Sequence, residues 1–264
     1  MAKTTVCAFA KRRDAGEKLV IITAGSAAES AAAYAAGIDL ILVGDSLGMT
    51  MLGYDTTLPV TMEAMLHHTK AVRRGAPDAF VIFDMPFMSY HTGIDEAVRN
   101  AGRALQEAGA DAVKLEGGAD PELIRRLVVS GIPVLGHLGL LPQSILTVGS
   151  YRVVGRDDAA AERLIAEARA IEAAGAFAVV LECVPAELGR RVTEALRIPT
   201  IGIGSGVECS GQVQVLYDTL GITPHTPKHA KRFGEIGEAM RSALAAYASE
   251  VKSGTFPAPE NTFK

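Results

Sequence analysis

The sequence predicts an α/β fold, a single (β/α)8 TIM barrel, and three observations lead there. Short apolar runs rich in β-branched residues recur along the chain, alanine-rich segments of helical period lie between them, and one run after another ends in an ionisable residue. Eight strands with intervening helices in about 250 residues match a closed parallel barrel.

Taken in order, the runs are Leu19 to Ala24, Leu40 to Gly44, Ala79 to Asp84, Ala112 to Glu116, Pro133 to His137, Ala178 to Glu182, Thr200 to Gly204 and, weakest, Gln212 to Leu216. Helices are expected near 26–36, 61–74, 95–108, 120–130, 157–174, 185–196 and 234–252. Pro121 and Pro185 stand near helix starts, and Gly37, Gly109, Gly131 and Gly175 near helix ends, as helix punctuation requires. No linker divides the chain, so residues 1–264 read as one domain with an irregular C-terminal tail, Ser253 to Pro259, packed on the surface or against a neighbour.

Composition limits the partners. With 264 residues, 48% of them hydrophobic, and a mean hydropathy of +0.21, the chain can bury a large core, which excludes disorder. Lys and Arg number 26 against 30 Asp and Glu, a net charge of −4 without a long basic block, so neither nucleic acid nor an anionic membrane is an expected partner. No run is long enough to cross a bilayer. The apolar piece Val6 to Ala10 is short, and Lys11-Arg12-Arg13 follow it on the wrong side for a signal peptide. Cys7, Cys183 and Cys209 are odd in number and lack C-x-x-C spacing, which favours a reducing cytoplasm over a disulfide framework or thiolate zinc site. Strand alternation places Cys183 opposite Glu182, toward the helices, as an inert core residue.

The chemistry is read from the strand ends. Asp45, Asp84 and Glu116 come from three successive strands and converge on one side of the mouth, where three hard oxygen donors suit Mg²⁺. The alternative for each is a helix cap or a partner for Lys114. Lys114 and Glu116 are one residue apart and share the inner face, so a cation beside the metal can hold a substrate carboxylate. Glu182 ends the sixth strand across the mouth, where desolvation would raise its pKa and fit it as a general base. His137 is either a hydrogen-bond donor and proton shuttle or a structural residue. Metal, carboxylate clamp and base together describe enolisation of a 2-oxo acid. Two connections, Asp45 to Pro59 and His137 to Arg156, are longer than a barrel needs; Ser46 to Tyr54 is either a lid or a packing loop. Gly202-Ile203-Gly204-Ser205-Gly206 is either a phosphate loop or a tight glycine turn.

Seven ordered motifs extend these residues. They are Val43 to Met49, Gly53 to Thr61, Asp84 to Tyr90, Lys114 to Gly118, Gly136 to Leu140, Leu181 to Pro185 and Ile201 to Gly204. Together they resemble the ketopantoate hydroxymethyltransferase family, also called 3-methyl-2-oxobutanoate hydroxymethyltransferase, over nearly the whole chain. The resemblance implies a TIM barrel that transfers a hydroxymethyl group from 5,10-methylenetetrahydrofolate to 3-methyl-2-oxobutanoate, giving 2-dehydropantoate in pantothenate biosynthesis. It implies Asp45, Asp84 and Glu116 as the magnesium site and Glu182 as the base. Ser46 and Lys114 are implied as substrate contacts, and Asp45, Asp84 and His137 complete the expected substrate-binding set. The family is typically a cytoplasmic homo-oligomer, a decamer.

The chain departs from the family pattern at three places. Thr23-Ala24-Gly25-Ser26 replaces Thr-Ala-Tyr-Asp, Leu141 replaces Thr in Gly-Leu-Thr-Pro-Gln, and Ser210 replaces Asp in Asp-Gly-Gln. These bear on folate affinity, loop order or subunit packing more than on the chemical step. Two other readings stay open: a metal-enolate carbon-carbon lyase or mutase of the phosphoenolpyruvate type, and a non-enzymatic paralogue.

Overall fold

A computed structural model describes residues 5–117 and 120–263; Gly118, in the fourth motif, lies outside the described residues. Eight parallel strands close into a barrel in sequence order, β1 (Leu19–Thr23), β2 (Leu40–Val43), β3 (Phe80–Asp84), β4 (Ala112–Lys114), β5 (Val134–Gly139), β6 (Ala178–Glu182), β7 (Thr200–Ile203) and β8 (Gly211–Gln214), with β8 pairing back to β1. The expected barrel is therefore the observed one. The weakest expected strand forms one residue earlier than read and bonds to both neighbours.

Alternation along these strands builds the interior. Leu19, Ile21, Leu40, Leu42, Phe80, Ile82, Ala112, Leu135, Ala178, Val180, Ile201, Ile203 and Val213 form one buried cluster. Continuing the period of two from it leads to Asp84 on β3, Lys114 on β4, His137 on β5 and Glu182 on β6. The ionisable groups are thus the last interior layer above an apolar plug.

The helices are α1 (Val6–Asp14), α2 (Ala27–Ala35), α3 (Leu47–Thr50), α4 (Met62–Gly75), α5 (Ile94–Ala108) and α6 (Pro121–Val129). After them come α7 (Ile145–Val148), α8 (Asp158–Ala173), α9 (Ala186–Ala195), α10 (Leu216–Thr219) and α11 (Ile236–Ser253). Side chains close the first turns: Ser26, Thr61, Asp120 and Asp157 accept from backbone N–H groups three residues on. In α5 the buried stripe includes Ala97, Ala101, Ala104 and Ala108, small enough for the helix axis to approach the sheet. Gly109 then ends the helix in the left-handed region at φ 71°.

Helix α1 was not expected. Its Phe9, 1% exposed, joins the interior cluster and meets Phe80 edge-to-face at 4.9 Å, closing the N-terminal end of the barrel. The chain divides into two compact units, one ending at Val215 and the other beginning at Leu216. The second unit contains α10, α11 and a short 3-10 turn, Pro259–Asn261. Among the described residues, no helix is long and apolar enough to cross a membrane.

Candidate active site

The site begins where the strand ladder gives way to side chains. After β2, the Asp45 backbone N–H donates to Asp84 Oδ2 at 3.2 Å; after β4, the Glu116 N–H donates to the Tyr90 hydroxyl at 3.2 Å. The strand assignment of β4 ends at Lys114, two residues earlier than the composition suggested, although toward β5 the Leu115 and Gly117 N–H groups still donate to the Leu135 and His137 carbonyls.

Lys114 lies among the acids. Its ammonium donates to Asp84 Oδ1 at 2.6 Å and stands 3.6 Å from Glu116 Oε1. Both ends of the pair are buried, with side-chain exposures of 5% and 3%. Burial alone would lower the lysine pKa, but Asp84, Glu116 and Asp45 outweigh it and raise it, so Lys114 stays charged. Burial followed by the charges of Asp84 and Glu116 pushes Asp45 well above the usual carboxylate range. Glu116 is also raised, again by burial first, with Lys114 and His137 opposing. Three buried carboxyl groups share one ammonium, and the raised Asp45 and Glu116 record negative charge that Lys114 does not cancel.

His137 joins this cluster to Glu182. Its Nε2 lies 3.2 Å from Glu182 Oε2 and its Nδ1 3.7 Å from Glu116 Oε1. Burial and the nearby Lys114 charge push the imidazole down to about 4, so it is neutral at physiological pH. Glu182 is the more accessible acid, its side chain 15% exposed against 4% for Glu116. Its carbonyl is fixed by the Leu140 N–H at 2.8 Å, and a Cβ on Gly139, which has φ 94°, would stand 2.1 Å from that oxygen. Cys183 corrects the expectation of a core residue. The chain turns at φ 49° just past β6, leaving the thiol half-buried, and burial with the Glu182 charge pushes it up to about 11. It remains a thiol at neutral pH.

Two residues of the site were not expected from the sequence. Gln143, 5% exposed, donates from Nε2 to Asp45 Oδ2 and to the Met85 carbonyl, both at 2.9 Å. Its backbone N–H donates to Glu116 Oε2 at 2.9 Å, and its Oε1 accepts from the Tyr90 hydroxyl at 2.7 Å. The Pro-Gln dipeptide in a long loop was visible in the sequence, but its approach to Asp45, 98 residues away, was not.

The remaining expectations are placed as follows. Ser46 is half-buried at the start of α3, and its hydroxyl makes no capping bond to that helix. The two long loops meet, the Tyr151 hydroxyl lying 3.9 Å from Met49 Sδ. Ser205 is fully buried, its hydroxyl donating to the Leu181 carbonyl at 2.6 Å, which gives the glycine-rich segment after β7 a structural task. A Cβ at Gly25 would stand 2.5 Å from Met51 Sδ, so Met51 fills space that the family's tyrosine would need. Ser26 caps α2, a task an aspartate performs equally well. Ser210 exchanges bonds with Thr200 at the N-terminal ends of β7 and β8, away from the mouth.

As a metal centre the donors are chemically suitable, since all three are hard oxygens and together carry more charge than Lys114 cancels. Among the described residues no three His, Cys, Asp or Glu side chains stand in an ion-holding arrangement in this structure, where the Lys114 ammonium lies beside Asp84 and Glu116.

The family model "Ketopantoate hydroxymethyltransferase" matches residues 3–259. The 3-methyl-2-oxobutanoate hydroxymethyltransferase of Syntrophus aciditrophicus is 53% identical over 263 residues, covering 99% of this chain and 97% of the relative. That of Moorella thermoacetica is 51% identical over 265 residues, covering 100% and 98%. Among solved structures, 2,3-dimethylmalate lyase, a PEP mutase/isocitrate lyase superfamily member, superposes with a TM-score of 0.60 at 15% identity over 100% of this chain and 93% of its own. A phosphonopyruvate hydrolase in complex with oxalate and Mg²⁺ gives 0.60 at 13% identity, over 97% and 92%. The structural likenesses speak to the barrel alone.

Proposed function

The chain belongs to the ketopantoate hydroxymethyltransferase family, enzymes that transfer a one-carbon group, and on that premise we propose that it enolises 3-methyl-2-oxobutanoate and adds to it the one-carbon unit of 5,10-methylenetetrahydrofolate, giving 2-dehydropantoate. The observation that carries the mechanism is the row of interior groups at consecutive strand ends: Asp84, Lys114, Glu116, His137 and Glu182, with an excess of acid at one side and a more accessible carboxylate at the other.

In this reading Asp45, Asp84 and Glu116 hold Mg²⁺. The ion supplies electrostatic stabilisation for negative charge developing on the 2-oxo oxygen. Lys114, fully charged, binds the substrate carboxylate, and Ser46 offers a hydroxyl to the same molecule. Glu182 removes the proton from carbon 3. Neutral His137, with Nε2 3.2 Å from Glu182 Oε2, stands against the carboxylate and limits how it can turn. The apolar rim of Met49, Leu52, Tyr54, Phe87, Met88 and Tyr151, all exposed, suits the flat ring of a folate.

Along α11, Ile236, Met240, Leu244, Tyr247 and Val251 recur at helical spacing and are all exposed, which supports a homo-oligomer, a decamer by family resemblance. Cys7, Cys183 and Cys209, odd in number and without C-x-x-C spacing, support residence in the cytoplasm. The deciding experiment is product analysis with 3-methyl-2-oxobutanoate, with and without methylenetetrahydrofolate and Mg²⁺. Formation of 2-dehydropantoate only when all are present is expected. Cleavage or rearrangement of a 2-oxo acid without folate would transfer the site to lyase or mutase chemistry, and a folded protein that binds Mg²⁺ without turnover would be a non-enzymatic paralogue.

A further inference from the structure

Gln143 is connected to more of the mouth than any residue assigned a role above. Its side chain and backbone reach Asp45, Met85, Tyr90 and Glu116, which belong to segments following β2, β3 and β4, while Gln143 itself lies in the loop after β5. The orientation of its amide is fixed by chemistry. Nε2 faces a carboxylate and a carbonyl, neither of which can donate, while Oε1 faces the hydroxyl of Tyr90. Turning the amide over would set an oxygen against two acceptors. Tyr90 in turn accepts from the Glu116 N–H at 3.2 Å, so its one proton is committed to Gln143. One oxygen of Asp45 and one of Glu116 are thus held by the same residue, and Glu116 Oε1 is the oxygen that stands 3.6 Å from Lys114.

We propose that Gln143 is a positioning residue that clamps Asp45 and Glu116 into a shared geometry for the divalent cation, and that this makes the acid cluster complete only when the loop after β5 is docked. The proposal rests on the metal reading given above and deepens it. Two acids that repel one another will splay unless donors hold them, and Gln143 supplies a neutral donor to each without cancelling the charge a cation needs. Leu141 and Pro142, flanking the clamp, direct the turn at Pro142–Ser144 that presents it.

The test uses Gln143→Met, close in length but without the side-chain bonds to Asp45, Met85 and Tyr90 while the backbone N–H to Glu116 stays, and Tyr90→Phe, which removes the hydroxyl alone. Mg²⁺ affinity by calorimetry, kcat and Tm are measured for each on the intact protein. Gln143→Met should weaken Mg²⁺ binding and lower kcat, each by roughly 10- to 100-fold, the usual effect of removing a partner that orients a ligand. Tyr90→Phe should move both in the same direction by less. The double variant should lose less than the sum of the two single changes, the part beyond Gln143→Met being what the direct Tyr90–Glu116 bond carries. A lowered Tm with Mg²⁺ affinity and kcat unchanged would show packing alone and overturn the proposal. If Gln143→Met does not fold, Tyr90→Phe decides by the same two readouts. Wild-type protein that binds Mg²⁺ but makes no 2-dehydropantoate would refute the functional reading while leaving the clamp to be judged on Mg²⁺ affinity.

Discussion

The two ends of the barrel handle their acids in opposite ways. At the N-terminal end, Asp39 and Asp111 each precede a strand and each meet one arginine: Arg12 at 2.5 Å and Arg73 at 2.6 Å. Each acid also accepts from the backbone of the preceding strand, Val20 at 2.8 Å and Val81 at 2.9 Å. Each of these acids has an arginine of its own, Arg12 also reaching Glu17, and the devices pin β2 to β1 and β4 to β3. At the mouth, Asp45, Asp84 and Glu116 share the single cation Lys114, and burial with mutual repulsion raises Asp45 and Glu116. A fold gains nothing from that imbalance, since uncompensated buried charge is costly. The contrast separates acids that hold the barrel together from acids arranged for something to bind.

The strongest test of the contrast is Glu182→Gln, which keeps size and hydrogen bonding at the mouth but cannot accept a proton. Turnover should fall by roughly 10²- to 10⁴-fold with Tm unchanged. Exchange of the carbon 3 hydrogen of 3-methyl-2-oxobutanoate with deuterated water should be lost as well, because enolisation precedes carbon-carbon bond formation. Retained exchange would pass the base to His137, whose neutral ring stands 3.2 Å away.

Removing the one cation at the mouth sharpens the comparison from the other side. Lys114→Ala should raise KM for the 2-oxo acid by roughly 30- to 150-fold, the equivalent of about 2–3 kcal/mol for a charged hydrogen bond. kcat should change less. An unaltered KM would make Lys114 a charge partner of the same kind as Arg12 and Arg73.

Much of this division is visible in the sequence. The short apolar runs locate all eight strands, and an ionisable residue at the end of an apolar run marks Asp45, Asp84, Glu116, His137 and Glu182 without any tertiary information. Gln143 and Tyr90 escape because a polar residue in an irregular loop carries no periodic signal; their roles depend on which strand end the loop reaches. Helix α1 escapes for a different reason: it is nine residues long with one buried side chain, Phe9, so its apolar face is too narrow to read. The N-terminal ion pairs were also unread. Asp39 and Asp111 stand just before strands, where an acid is ordinary turn chemistry until the arginine from another helix is placed beside it.

Asp111→Ala should reverse the pattern of the mouth variants. It leaves Arg73 without its carboxylate and the Val81 N–H without that acceptor, a loss of about 1–3 kcal/mol. For a chain of this size, that lowers Tm by about 2–4 °C per kcal/mol. kcat and KM measured well below the transition should be unchanged. Altered KM at unchanged Tm would mean that the two ends are not independent.

The smallest effect is expected at Ser210, where the family pattern usually has aspartate. Ser210 accepts from the Thr200 N–H at 3.2 Å and donates from its own backbone to Thr200 Oγ1 at 3.3 Å, a reciprocal link between the starting residue of β7 and the residue before β8. Ser210→Ala removes only the first of these bonds, leaving one buried N–H to find another acceptor, so the cost should be about 1 kcal/mol. Because the link lies at the N-terminal end of the barrel, KM for methylenetetrahydrofolate and for the 2-oxo acid should both match wild type. A Tm slightly below wild type with unchanged kinetics would assign the departure at position 210 to strand pairing. A raised folate KM with Tm unchanged would instead place a site determinant at the N-terminal end and break the division between holding and binding from which the other expectations follow.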